Sequence, residues 1–245
     1  MAAVANRPPV QQPPPVQRLW LRYARRGVGR FASHRDFARV FERALRRAAV
    51  PMAYSSGFSP HPRVSWANPA HTGALSESEY VEVGLAVAVD PAELAAALDA
   101  ALPVGFAVVG VAPAAGNLAA QLEASDWDIR AGGSDTGGPW FGRAADRFLA
   151  AGEVLVTRQA KHGPRTFDTR AAVVSLAPTA DGFRVVLRHT APLVRPDDVV
   201  AGLCTLDPSW SLGAPAVARR LGQGRLVGDR VEDPVPATPP ASALP

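Results

Sequence analysis

Between residues 18 and 111 the apolar spacing switches repeatedly between two and 3.6 residues, and this alternation constrains the fold more than any other feature of the chain. In residues 18–26 (RLWLRYARR), Leu19, Leu21 and Tyr23 alternate with Arg18, Trp20 and Arg22, the pattern of a half-buried strand. Phe37, Val40, Phe41, Ala44, Leu45 and Ala48 then fall on one helical face. Ser33 is placed to cap that helix with Asp36 three residues on, and Pro51 ends it. Residues 64–68 and 80–89 read as strands. Asp90-Pro91 opens a second helix through Ala101, with proline at its first position. Pro103 and Gly105 break that helix before a strand over 106–111. The order β-α-β-β-α-β is that of the ferredoxin-like plait, an antiparallel sheet with both helices on one face.

The second half repeats the theme more loosely. Strands are predicted over 127–130, 153–159, 167–176, 182–189 and 216–227, and helices over 140–150 and 196–206. The expected fold class is therefore α+β, two ferredoxin-like (βαββαβ) plait lobes in tandem. A basic lobe would span 18–113 and a second lobe 114–232, joined near 113–116. Residues 1–17 and 233–245 are rich in Pro and Ala and lack a periodic apolar face, so both are expected to be disordered or extended tails.

Several function classes are excluded early. The N-terminal residues lack the apolar core of a secretory signal, and no run of about 18 apolar residues offers a membrane span. A cytoplasmic protein is expected. Cys204 is the one cysteine, so an internal disulfide is impossible and an iron–sulfur cluster lacks its thiolates. The five His (34, 61, 71, 162 and 189) show no HExxH or HxH spacing. Neither a metal nor a cofactor is expected. The Gly-rich stretch 132–138 lacks the Lys-Ser/Thr ending of a phosphate-binding P-loop and reads as a plain loop.

Basic charge is concentrated in one place. Of 26 basic residues only Lys161 is lysine, and residues 18–63 hold 11 Arg against Asp36 and Glu42. Such a segment is an electrostatic address for phosphate. On the first helix, Arg35, Arg39, Arg43 and Arg46 share one face, either a phosphate-tracking stripe or a solvated face partly paired with Glu42. The 54–63 loop that follows carries Tyr54, Ser55, Phe58, His61 and Arg63 between stiffening prolines. Its aromatics suit base stacking and Arg63 a phosphate; the alternative is an Ω-loop packed by its own Tyr and Phe. His34 and His61 are the only candidates for acid–base catalysis, although His34 serves equally well as a capping or core-edge residue. Lys161, Arg165 and Arg170, with Asp168, flank a turn in the second half and extend the basic surface, or simply charge a hairpin.

Residues 30–68 resemble the signature of the uncharacterised radical SAM-linked protein family, a domain of unknown function (DUF2344). The matching pieces are Arg30-Phe31, Ser33-His34, Asp36, the arginine-rich helix, Pro51, Ala53-Tyr54-Ser55, Gly57-Phe58, Pro60-His61-Pro62 and Ser65. Glu79-Tyr80, the run 161–170 and Arg195-Pro196-Asp197 look like later blocks of the same family. The resemblance implies a radical SAM protein as partner and a role in nucleic-acid or translation-related modification, with no established activity. The chain has no CxxxCxxC, so that partner must be a separate protein. Tandem plaits with a basic helix also look like CRISPR repeat-processing endoribonucleases, a likeness of fold alone. Three classes follow: an RNA-binding accessory to a radical SAM enzyme, a metal-independent endoribonuclease, and a protein–protein adaptor with a basic face. The cysteine count yields a first prediction. After anaerobic reconstitution with iron and sulfide, the purified chain should show no stoichiometric visible chromophore, as read by absorption spectroscopy.

Overall fold

The computed structural model describes residues 11–132, 139–160, 163–207 and 214–237. The first half runs β1 (Gln17–Arg25), α1 (His34–Arg47), β2 (Val64–Ala67), β3 (Leu75–Leu85), α2 (Pro91–Ala101) and β4 (Phe106–Pro113). A short α3 (Leu118–Gln121) leads into β5 (Ala124–Gly132), α4 (Pro139–Ala150), β6 (Leu155–Ala160) and β7 (Gly163–Asp168). The chain closes with β8 (Val173–Pro178), β9 (Gly182–Arg188), α5 (Pro196–Leu206), β10 (Ala214–Val227) and β11 (Arg230–Glu232).

The protein is a mixed α+β structure built on one large mixed sheet. The strand order is β4-β1-β3-β10-β5-β9-β8, with β2 also paired to β3 and β11 to β10, while β6 and β7 form a separate hairpin. The expected boundary near residue 114 therefore does not divide the sheet. Strand β10 runs antiparallel to β5 of the second half and touches β3 of the first in parallel, at Arg219↔Leu75 and Arg220↔Ser76. Its strand character is plain in the sequence; its place between the halves is not.

Under the first half, Leu19, Leu21 and Tyr23 of β1 meet Phe37, Phe41 and Leu45 of α1 and Leu94 and Leu98 of α2. The register Leu19↔Val83 and Leu21↔Val81 keeps these residues on one face of the sheet. Asp90 caps α2 by accepting from Ala92 N (2.8 Å) and Glu93 N (2.9 Å). A second core under β5, β8 and β9 gathers Trp127, Ile129, Phe141, Phe148, Phe183, Val199 and Leu203. The strand expected over 167–176 is broken. Asp168 accepts from Val154 N and Arg170 N, both at 2.9 Å, and folds a 3-10 turn, Arg170–Ala172, between β7 and β8.

Two expectations fail on the other side of the sheet. Strand β1 is not half-buried: Trp20 is buried and Arg22 is only 8% exposed. What covers them is α3 together with residues 233–236, the start of the expected C-terminal tail. Val235 is 0% exposed and clusters with Trp20, Tyr80, Leu118 and Leu122. Asp233 accepts from Ser78 Oγ (2.5 Å) and Tyr80 Oη (2.7 Å) and pairs with Arg22 at 3.3 Å. Gly110 permits this close approach, since a Cβ there would lie 2.4 Å from Pro236 O. At the other end, Val16 N donates to Leu85 O (2.8 Å) and Gln17 already belongs to β1, so ordered chain begins before residue 18. Val235→Ala removes two buried methyl groups, about 1.6 kcal/mol of burial at about 0.8 kcal/mol per group. The melting temperature should fall by roughly 3–6 °C, and deletion of residues 233–245 should lower it further, as measured by thermal denaturation.

Candidate functional site

The basic face forms on α1. Ser33 Oγ accepts from Asp36 N (3.2 Å) and donates to Asp36 Oδ2 (2.6 Å), which sets the start of the helix as the sequence indicates. With Phe37, Phe41, Ala44 and Leu45 buried, Arg35, Arg39, Arg43 and Arg46 all point to solvent. Among the described residues none of these four side chains makes a hydrogen bond or an ion pair, with Glu42 or with any other group. Much of the remaining charge in residues 18–63 is spent internally. Arg18 pairs with Glu82 (2.7 Å), Arg26 with Glu77 (2.5 Å) and Arg22 with Asp233. Arg25 is buried on the carbonyls of Ala70, Arg30 and Ala32, and Arg47 donates to Ala101 O (3.2 Å).

The 54–63 loop folds into a narrow ladder. Ser55 N donates to His61 O (2.8 Å), His61 N to Ser55 Oγ (3.0 Å) and Arg63 Nε to Tyr54 O (3.1 Å). Its stem is fixed to the sheet edge by Ala53 N→Gly84 O and Gly84 N→Arg63 O, both 2.9 Å. Tyr54 is exposed and Phe58 is 78% exposed, so the aromatics do not fill the loop from within. Ser55 serves the ladder, while the two rings and His61 remain on the surface.

His34 sits at the edge of an aromatic cluster, its ring edge-on to Trp66 at 5.2 Å, with Phe37 and Phe41 around the same indole. Burial lowers its pKa, with Glu79 opposing and Arg25 reinforcing the shift. His34 and His61 make no hydrogen bond or ring contact with each other. In the second half, Lys161 lies outside the described residues. Arg165 is exposed on β7. Arg170 is tied to the carbonyls of Leu149 and Val173 and is a structural clamp rather than a free cation.

Sequence reasoning missed a second place, a polar junction where β3, β5, β9 and β10 converge. Glu79 and Arg220 form a buried ion pair at 3.1 Å, with side chains 0% and 2% exposed. Arg220 Nη1 also donates to Asn68 O (2.9 Å), and its guanidinium lies 4.7 Å from the Trp127 ring centre. His71 also stacks on Trp127, ring centres 6.3 Å apart, with its Nε2 3.5 Å from Asp197. Asn68 takes a left-handed backbone (φ 42°), which asparagine tolerates better than most residues, and turns its amide to His189 and to Gln223 Oε1 (3.1 Å). His189 Nδ1 faces Leu122 O at 2.7 Å. A carbonyl only accepts, so Nδ1 carries the proton and Nε2 is the acceptor, met by the Ser125 hydroxyl. A serine on a neutral, carbonyl-oriented imidazole has the parts of a nucleophile and its base, but Ser125 is buried. Asn68, His71, Ser125, His189, Arg195 and Arg220 enclose a cavity of about 80 Å³. The available sequence signal was charge on otherwise apolar strands, Glu79 above all.

Among the described residues, no group of three or more His, Cys, Asp or Glu could hold a metal ion, and no helix is long and apolar enough to cross a membrane. Fold and junction define an α+β protein whose halves share one mixed sheet and a buried polar seam. The chain belongs to the family described as an uncharacterized protein conserved in bacteria (DUF2344), whose sequence model matches residues 18–196. That stretch includes α1, the 54–63 loop and most of the junction, but not Arg220. No curated protein matches the chain. Among solved structures, an unknown protein from Galdieria sulphuraria is similar at 17% identity, with 83% of this chain and 98% of that chain covered and a TM-score of 0.25.

Burial lowers the His189 pKa to about 4, against a weaker raising effect of its bond to Leu122 O. A histidine neutral in the fold but titrating near 6.5 when unfolded adds stability that is fully present above pH 6.5 and lost as pH falls toward 4. His189→Gln should remove this contribution. Wild type should lose on the order of 3 kcal/mol more than the variant between pH 7 and 4, measured by urea denaturation across that range.

Proposed function

We propose that this chain binds RNA across α1 and the 54–63 loop, as a cytoplasmic accessory to a separate radical SAM enzyme. The observation that carries the proposal is the row of four solvent-facing arginines on α1 with no acidic partner among the described residues. Four unpaired guanidiniums at helical spacing form a linear track for phosphates, and such contacts dominate affinity for nucleic acid. Phe58 and Tyr54 supply exposed rings for stacking, held on a loop already ordered by its own ladder, so less entropy is lost on binding. The resemblance to radical SAM-linked proteins supplies the partner class.

The strand orders support a finer reading of the fold. β4-β1-β3-β2 in the first half and β10-β5-β9-β8 in the second both follow the 4-1-3-2 order of a ferredoxin-like plait, with β6 and β7 inserted as a hairpin. Many plaits bind RNA on the open face of the sheet, with aromatics on its strands. Here α3 and residues 233–236 cover part of the first half's second face, which favours the helix side as the binding surface. The endoribonuclease alternative would use His34 and His61 as base and acid, and it is the less supported reading because no hydrogen bond or ring contact links the two.

The test is fluorescence anisotropy with a labelled single-stranded RNA at several salt concentrations, with heparin as a charge-only competitor. Arg39→Ala with Arg43→Ala should flatten the log–log salt slope by roughly 0.7 for each phosphate that is no longer neutralised. Phe58→Ala should weaken RNA binding by about 1–3 kcal/mol and leave both the slope and heparin binding unchanged. Absence of wild-type binding below about 10 μM at low salt, where non-specific basic binders register, would instead favour an adaptor that meets an acidic protein.

A further inference from the structure

We infer that the junction cavity is a binding site for a phosphate group, separate from the α1 surface. The walls are rich in hydrogen-bond donors, and two arginines in them have N–H groups to spare. Arg195 is exposed and its guanidinium makes no hydrogen bond or ion pair among the described residues. Arg220 is fully buried, yet only Nη1 is bonded; Nη2 makes no hydrogen bond among the described residues and Nε is a buried donor without an acceptor. The Nε has no accessible surface, so Nη2 is the Arg220 donor left for a group in the cavity, and unmet donors at a buried site are uncommon. The planar guanidinium matches two phosphate oxygens at once, which singles out phosphate among small anions.

The local charge points the same way. Arg25 and Arg220 are both buried beside Glu79, and the other buried carboxylate among the described residues, Asp198, is paired with Arg158, so the Arg25–Glu79–Arg220 group carries one surplus positive charge. Arg25 is held by carbonyls alone. Among the described residues no carboxylate lines the cavity; Asp197, next to the lining residue Pro196, is 63% exposed and faces His71. Asp198 is not free to oppose an anion, because Arg158 Nη1 (2.6 Å) and Arg195 N (2.8 Å) both donate to it. Burial lowers the pKa of both His71 and His189, and an anion would draw the His71 proton equilibrium back upward. At about 80 Å³ the space suits one tetrahedral group and is well short of the roughly 300–1,000 Å³ of a pocket for a whole small-molecule ligand. The rest of the ligand would stay outside, past exposed Pro69 and Arg195. The phosphate could arrive on a mononucleotide or on the end of an RNA strand.

The experiment is thermal denaturation and calorimetric titration at constant ionic strength, with sodium chloride as the blank. The probes are inorganic phosphate, uridine 5′-monophosphate against uridine, and 5′-phosphorylated against 5′-hydroxyl hexauridylate. Phosphate-bearing probes should raise the melting temperature in a concentration-dependent way, as any ligand of the native state does, while uridine should not. The tighter of the two phosphorylated partners identifies the source. Arg195→Gln and His71→Ala should each weaken the response at least tenfold. Arg195 is exposed, so its variant decides the matter if His71→Ala is less stable. The Arg39→Ala, Arg43→Ala protein should keep the full response to inorganic phosphate, which separates this site from RNA binding on α1. No response beyond the chloride blank would overturn the inference, as would a response that survives Arg195→Gln or is abolished by the α1 changes.

Discussion

Glu79 on β3 and Arg220 on β10 meet out of reach of water, in the one stretch where the two halves of the sheet touch edge to edge. Their backbones share only two register pairs, Leu75 with Arg219 and Ser76 with Arg220. So short a parallel ladder is a weak fastening by itself. Side chains make up the difference. Arg220 reaches from the second half to Glu79 and to Asn68 O, and Gln223 donates to Ser78 O at 2.7 Å. Beside them, Arg219 and Arg26 both bind Glu77. A buried pair of this kind adds little net stability over an apolar substitute, but removal of one partner leaves a charge stranded and costs about 3–5 kcal/mol. The seam therefore specifies how the halves meet more than it strengthens them.

The same arrangement explains the composition of the surface. Arginines that follow the sheet direction, Arg18, Arg22, Arg25 and Arg26, end on carboxylates or carbonyls of the protein itself, Arg22 on Asp233 of the second half. Those that follow the helical period on α1 end in water. A count of charge along the chain treats the two groups alike, although only the second is available to a partner. The positive character of this protein at its surface is thus narrower, and more directional, than its eleven arginines in residues 18–63 suggest.

Local patterns were readable in the sequence to the extent that neighbours in the chain settled them. The cap at Ser33, the apolar stripe Phe37–Phe41–Leu45, the stop at Pro51 and the Asp90-Pro91 start all depend on residues a few positions apart. The burial of Trp20 and Arg22 was hidden because their cover comes from far along the chain, from Leu118 and Leu122 and from Val235 in a proline-rich run that resembles a tail. The junction was hidden for the same reason. Asn68, His71, Glu79, Ser125, His189 and Arg220 have no common spacing and converge only when β10 enters the sheet. Glu79, embedded in the strand that carries Tyr80, Val81 and Val83, was the trace that a buried cation had to exist somewhere.

The position of β10 also bears on how such a chain assembles as it is made. The first half has its own strands, helices and core by residue 113, yet one end of β3 pairs with residues 219–220 and part of its second face is covered by α3 and 233–236. Both attachments join residues that lie far apart in the chain, and pairings that distant are slow to form. During synthesis the amino-terminal half must wait with an open strand end and a bare Trp20, Tyr80 surface until nearly the whole described chain has left the ribosome. In that interval it is the segment most exposed to wrong pairing. The seam side of that edge carries Glu79, Ser76 and Ser78, polar groups that water can satisfy until Arg220 and Gln223 arrive.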